Sequence, residues 1–167
     1  LDVTSNKNGV VDRVNVITDE GKLGSGYLSV RSLLSVSSCG ICGKQTLDAI
    51  LPQTESRSED SSTQLKLSAV LGMHKTLFEN QTLFIDTGGC HGVAAFDKAG
   101  NLLAIHEDIG RHNALDKVVG ELLFSKKLGE AKVIAFSGRI SYEIVTKAFR
   151  AKIPVVVAVS AASSLAV

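Results

Sequence analysis

A single α/β domain with a mixed sheet is what this sequence predicts, and three observations predict it. Two apolar runs flank Asp97-Lys98-Ala99-Gly100-Asn101, which reads as a hairpin connection over residues 93–106. Residues 132–159 read as strand, helix, strand, and a unit of that length implies parallel pairing with a right-handed crossover. The chain has 167 residues, 44% of them hydrophobic, enough to bury one good core. Antiparallel and parallel pairing together make the sheet mixed.

Taken in order, residues 10–18 alternate partially and are rich in β-branched side chains, so a strand is expected there, punctuated by Asp19-Glu20-Gly21-Lys22. A second extended run, residues 27–36, leads into Ser37-Ser38-Cys39-Gly40-Ile41-Cys42-Gly43-Lys44, and residues 45–51 suit a short helix stopped by Pro52. Residues 53–64 hold serines, acids and one arginine but no large apolar residue, the composition of a flexible, solvated segment. From Leu65 the period turns helical, with Leu67, Val70, Leu71, His74, Leu77 and Phe78 three and four apart; His74 is read as packing on that face. Asp86-Thr87-Gly88-Gly89-Cys90-His91-Gly92 then places glycines on both sides of a Cys-His pair, which marks close approach of the backbone to something.

After the hairpin, Glu107-Asp108-Ile109-Gly110-Arg111-His112-Asn113-Ala114-Leu115-Asp116-Lys117 ends a strand and opens a helix. Its apolar face is Ala114, Leu115, Val118, Val119, Leu122 and Leu123. Free amides at such a junction make a ready anion site; the plainer reading is that Asp108 caps the helix while Arg111, Asp116 and Lys117 form surface pairs. Residues 132–136 have the apolar run of a buried strand. Ser137-Gly138-Arg139-Ile140-Ser141 and a helix over residues 142–151 follow it. Strand, small-residue turn and helix start are how α/β proteins hold phosphates, and Arg139 adds a bidentate donor. The segment is neither a Rossmann fingerprint nor a P-loop. Another buried strand is expected over residues 155–159, with Ser160-Ala161-Ala162-Ser163-Ser164 at the same sheet end as Ser137.

Eighteen basic and seventeen acidic residues leave a net charge of +1, so the chain carries no global electrostatic footprint for nucleic acid or an anionic membrane. Any anion site must be local. Three cysteines, two of them in C-x-x-C, do not make a secreted disulfide framework and fit a reducing cytoplasm. No stretch of eighteen apolar residues and no basic-then-apolar pattern occurs in residues 1–167, so neither a membrane span nor a leader is expected within them. A chain that opens on Leu1 and stops at Val167 inside an apolar run is expected to be part of a longer protein.

Sulfur chemistry is the first reading of Cys39-Gly40-Ile41-Cys42-Gly43-Lys44. A glycine after each cysteine suits an exposed turn, and Lys44 or the amides of a following helix would raise the thiolate fraction. Two alternatives stay open. A structural zinc site would take Cys90 and His91 as its remaining ligands, and a thioredoxin-like redox pair would sit at the start of a βαβ unit.

The four motifs around Cys39–Cys42, Cys90-His91, residues 107–117 and residues 136–143 occur in an order that resembles the formate dehydrogenase accessory sulfurtransferases, the FdhD family. The resemblance implies a three-layer α/β sandwich similar to the cytidine deaminase-like fold, with a mixed sheet, helices on both faces and a homodimeric assembly. It implies a cytoplasmic carrier that takes persulfide sulfur from a cysteine desulfurase. The sulfur passes to the molybdenum of the bis(molybdopterin guanine dinucleotide) cofactor, which formate dehydrogenase requires. On that resemblance Cys39 carries the persulfide with Cys42 as its partner. Phe136, Ser137, Gly138, Arg139, Ile140 and Ser141 bind the guanine-nucleotide part of the cofactor, with His91, Arg111 and His112 lining the same cleft, and no metal is held directly by side chains. The family usually has a small or aliphatic residue where Cys90 sits, and a proline in the stretch that is here Ser160-Ala161-Ala162-Ser163. The sequence argues against deamination, because His91 is followed by Gly92-Val93 rather than x-Glu, C-x-x-C precedes it, and no proline precedes Cys39. A non-catalytic chaperone that only holds the cofactor remains a third class.

Overall fold

The computed structural model describes residues 2–9, 11–15, 17, 19 and 64–167. Cys39, Cys42 and Lys44, the extended run over residues 27–36, the short helix expected over 45–51 and all of the solvated segment but Gln64 lie outside them. The chain divides into two compact units, Leu1–Gly43 and Lys44–Val167. In the first, β1 (Asp2–Ser5) and β2 (Val11–Asn15) pair antiparallel through a turn in which the Gly9 N–H donates to the Asn6 carbonyl at 3.0 Å. Gly9 takes φ +75°, a conformation glycine adopts at little cost. The strand expected over residues 10–18 is therefore present and shorter.

In the second unit the elements run α1 (Leu67–Glu79), α2 (Thr82–Thr87), β3 (His91–Phe96), β4 (Leu102–Asp108), α3 (Arg111–Phe124), β5 (Val133–Phe136), α4 (Tyr142–Arg150) and β6 (Val155–Ala158). The sheet order is β4-β3-β5-β6, with β3 antiparallel to β4 and β5, and β5 parallel to β6. The mixed sheet is thus present. The β3–β4 turn is fixed by Asp97, whose carboxylate accepts from the Ala99 and Asn101 backbone N–H groups at 2.8 and 2.9 Å and from the Asn101 side chain at 2.8 Å.

Alternation along β3 and β5 sorts the core into two layers. Val93, Ala95, Ile134 and Phe136 face one way and pack with Ala114, Leu115, Val118 and Leu122 of α3 and Ile144 of α4. Ala94, Phe96, Val133 and Ala135 face the other way and pack with Met73 and Leu77 of α1. A central strand with helices over both faces must be apolar throughout, which is why residues 93–96 show no alternation. Three layers result, helix, sheet and helix.

Two expectations need correction. On α1 it is Met73 and Leu77 that are buried, while Leu67, Leu71 and Phe78 are 72%, 60% and 60% exposed. The apolar stripe is wider than the sheet surface it covers. Strand β6, expected to be buried, is only half-buried, because it forms an edge of the sheet among the described residues.

Candidate functional site

Register brings the sequence-predicted residues to one edge of the sheet. His91 lies opposite Asp108, Val93 opposite Phe136, and Phe136 beside Ala158. The carboxyl ends of β4, β5 and β6 and the start of β3 therefore share an edge, where α3 and α4 also begin. Open α/β sheets place ligands there because helix N-termini offer unpaired N–H groups.

On the α3/α4 side, polar groups hold one another. Asp108 accepts from the Gly110 N–H at 2.9 Å, from Asn113 at 3.2 Å and from Lys117 at 2.6 Å. Lys117 first, then these other donors, holds the Asp108 carboxyl below its usual range. Gly110 occupies the N-cap of α3. The helix start is thus built by Asp108 on the residue before it, and Lys117 also donates to the Glu107 carbonyl at 3.0 Å. His112 Nε2 and the Ser141 hydroxyl share a hydrogen bond of 2.9 Å, joining the start of α3 to the N-cap of α4. Burial, helped by the neighbouring Arg111 charge, lowers the His112 pKa, so the ring is neutral near pH 7. Lys147 of α4 pairs with Asp116 of α3. Arg111 keeps its Nε buried and without a hydrogen-bond partner, and Arg139 is exposed between β5 and α4. Phe136 has no exposed side-chain surface and belongs to the core, so any ligand contact it makes is through its backbone.

On the α1/α2 side the edge opens into a cavity of about 430 Å³, lined chiefly by His74, Leu77, Phe78, Phe84, His91 and Ser137. Its rim is the Gly88-Gly89-Cys90 turn. Gly88 ends α2 in the left-handed conformation, φ +62°, and its N–H donates to the Phe84 carbonyl at 2.7 Å. Ser137 reaches across from the end of β5 to accept the Gly92 N–H at 2.9 Å, and Gly138 leaves room for His91, whose Nδ1 lies 3.1 Å from where a Cβ would stand. Of the site residues expected from the sequence, His91 and Ser137 line this cavity. Arg111, His112 and Arg139 do not.

Glu107 is the residue that sequence reasoning quoted without a role. Its two carboxylate oxygens accept the Leu83 and Phe84 N–H groups at 2.8 and 2.9 Å, closing the first turn of α2 from a different element. Oε1 also accepts the Cys90 thiol at 3.3 Å. Burial alone would raise Glu107, but these donors outweigh it and its pKa is lowered. Cys90 moves the opposite way: desolvation first, then the bond to Glu107 and its charge, push the thiol up. Cys90 is a held, protonated thiol at neutral pH. Gln81, 2% exposed, fills the space left by Gly92, and its Nε2 makes no hydrogen bond of good geometry, although the amide still contributes weakly to stabilising the Glu107 carboxylate. A buried glutamine beside a glycine leaves no signal in a sequence. Among the described residues no group of three His, Cys, Asp or Glu side chains is placed to hold a metal ion.

The described residues thus make a three-layer α/β domain that gathers polar residues and two helix starts at one sheet edge. Comparison with known proteins gives the family: a model of the FdhD/NarQ family matches residues 2–167, and the chain belongs to that family. It is 45% identical over 139 residues to the sulfur carrier protein FdhD of Thermoplasma acidophilum, covering 83% of this chain and 49% of the relative. It is 41% identical over 165 residues to the protein of the same name from Streptomyces avermitilis, covering 98% and 57%. A crystal structure from Desulfotalea psychrophila, described as a formate dehydrogenase accessory protein, matches with a TM-score of 0.55 and 29% identity over 59% of this chain and 44% of that one. The chain spans about half the length of these relatives.

Proposed function

We propose that this chain carries sulfur for the maturation of formate dehydrogenase. The observation that carries the reading is the match over residues 2–167 to relatives named as sulfur carriers, in a chain that has Cys39-Gly40-Ile41-Cys42. In this reading the Cys39 thiolate attacks the outer sulfur of a cysteine desulfurase persulfide, the desulfurase thiolate leaves, and Cys39-S-SH forms. Cys42 resolves or tunes that persulfide. The acceptor is the molybdenum of the bis(molybdopterin guanine dinucleotide) cofactor, the substrate that receives the sulfur. Its phosphates suit the starts of α3 and α4, where Arg111, His112, Gly138, Arg139, Ile140 and Ser141 lie, and no step of the transfer is assigned to these residues beyond binding and orienting. A cytoplasmic homodimer with a deaminase-like layer order completes the reading. Among the described residues no helix is long and apolar enough to cross a membrane.

The test is activation of formate dehydrogenase in cells that lack their own carrier. Cys39→Ser should abolish it, because a serine hydroxyl is neither ionised near neutral pH nor able to hold sulfane sulfur, while Cys42→Ser should retain part. Wild-type activation by the Cys39→Ser chain would leave only the non-catalytic chaperone reading.

A further inference from the structure

The chain has three cysteines, and the proposed function employs two of them. The third, Cys90, is a free, half-buried thiol at the rim of the cavity between α1, α2 and the sheet edge. Its Sγ donates to Glu107 Oε1 at 3.3 Å, and the N–H groups of Leu83 and Phe84 keep Glu107 a carboxylate. The thiol therefore has a proton acceptor in place. Gln81 supplies a second, independent observation. Its side chain is 2% exposed, it lines the same cavity as Cys90 and adjoins the same carboxylate, and its Nε2 has no hydrogen-bond partner. A buried donor left unsatisfied is costly, and an acceptor atom carried on Cys90 would enter a cavity that holds one.

The surroundings select that atom. Among the described residues no group of three His, Cys, Asp or Glu side chains is placed to hold a metal ion, and no second thiol is present to close a disulfide. Peroxide-type oxidants attack thiolates, whereas desolvation, then the Glu107 carboxylate, keep Cys90 a thiol. Leu77, Phe78 and Phe84 form apolar walls and no lysine or arginine is among the described lining, so an anion there would lack a counter-charge. A sulfane sulfur meets every condition: it is neutral as –S–SH, polarisable, and a single atom in a space of about 430 Å³.

We propose that Cys90 is a second sulfur-holding thiol, loaded from a persulfide with Glu107 as proton acceptor and keeping its sulfane sulfur in the cavity beside Gln81. The Cys90 sulfur attacks the outer sulfur of a persulfide R–S–SH, its proton passes to Glu107, and the bond between the two donor sulfurs breaks. The departing thiolate then takes the proton from Glu107. The products are Cys90–S–SH and R–SH, with no external oxidant or reductant. That the stored sulfur serves formate dehydrogenase rests on the proposed function; the loading of Cys90 does not.

The experiment uses the chain with Cys39→Ser and Cys42→Ser, in which Cys90 is the single thiol. It is incubated with glutathione persulfide, folded and in urea, and its peptides are followed by mass spectrometry. The peptide containing Cys90 should gain the mass of one sulfur about tenfold faster or more in the folded chain, the least expected of a positioned base, and cyanide should remove the gain. Alkylation by iodoacetamide should run the other way, slower when folded, because the folded thiol is protonated. Glu107→Gln should abolish the advantage in sulfur loading. If the double variant folds poorly, the same peptide is followed in the unsubstituted chain. A folded loading rate no greater than the unfolded one, or an advantage that survives Glu107→Gln, overturns the assignment. Desulfurase loading of Cys39 in the Cys90→Ala chain separates the two ideas. Loading there, with none on Cys90 in the double variant, sinks the second thiol alone, and the reverse sinks the sulfur-carrier reading of Cys39 alone.

Discussion

The two sides of the sheet's carboxyl edge solve different problems with the same strands. On the α3/α4 side every layer is filled: Phe136, Leu115 and Leu122 have no exposed surface, and the polar rim is closed by Lys117–Asp108, Lys147–Asp116 and His112–Ser141. On the α1/α2 side Met73 and Leu77 cover the sheet only partly, Phe78 and Leu71 are exposed, and a cavity remains beside His91. One side is built to be stable, and the other keeps space. The difference teaches that one face of this domain is filled while the other keeps an open cavity, with Glu107 tying α2 to the sheet and Ser137 tying the end of β5 to the start of β3.

The largest effect should come from the firm side. Phe136→Ala is expected to cost about 3–5 kcal/mol, the usual range for a fully buried phenylalanine, whereas Phe84→Ala in the half-buried cavity wall should cost about 1 kcal/mol. Urea denaturation of both variants measures this, and equal costs would erase the contrast. Next, Gly92→Ala would place a methyl 2.5 Å from the buried Gln81 side chain, which would have to shift. About 1–3 kcal/mol should be lost, the range for an overpacked site.

Glu107→Gln probes the tie between the faces. One of the two charged hydrogen bonds to α2 becomes neutral and the other is lost, because an amide has a single acceptor oxygen, for an expected loss of about 1–3 kcal/mol at pH 7. Glu107 and Asp108 both titrate below their ordinary values when folded, so the unfolded chain takes up protons first as pH falls. Stability from these groups is fully present above the unfolded carboxylate range, about pH 4, and disappears as pH drops through the lower folded values. The gap between wild type and Glu107→Gln in urea midpoints should therefore narrow on acidification, and a constant gap from pH 7 to 3 would show that Glu107 acts by packing alone. Gly138→Ala should be the mildest change, about 0.5–1 kcal/mol, because its Cβ would stand 3.1 Å from His91 Nδ1 and that ring can shift slightly. A histidine NMR signal displaced in this variant, with others unmoved, would locate the effect.

Much of the firm side could be read from the residues, and little of the other. Periodicity marked α3 because Ala114, Leu115, Val118 and Leu122 all face one filled layer, and Asp97 to Asn101 announced the β3–β4 hairpin through a side chain that bonds its own turn. Parallel pairing of β5 with β6 followed from the length of the unit between them. Helix α2 escaped, since six residues carry no measurable period and its start is held by a carboxylate from β4. The cavity escaped for the same kind of reason: it is the space between α1, α2 and the sheet edge, and Leu71 and Phe78, which keep the helical spacing, are exposed. His74, read as packing, lies on the cavity wall with its Nδ1 buried and unpaired. On the α3/α4 side of the same edge, the gathering of Arg111, His112 and residues 137–141 was legible because strand ends and helix starts are local features.

Mass spectrometry of the chain after incubation with a cysteine desulfurase and cysteine tests the central claim most directly. The peptide containing Cys39 should gain the mass of one sulfur atom, the gain should vanish on treatment with cyanide or a thiol reductant, and Cys39→Ser should show none. A Cys39 peptide that stays unmodified while the desulfurase itself is loaded with persulfide would contradict the account.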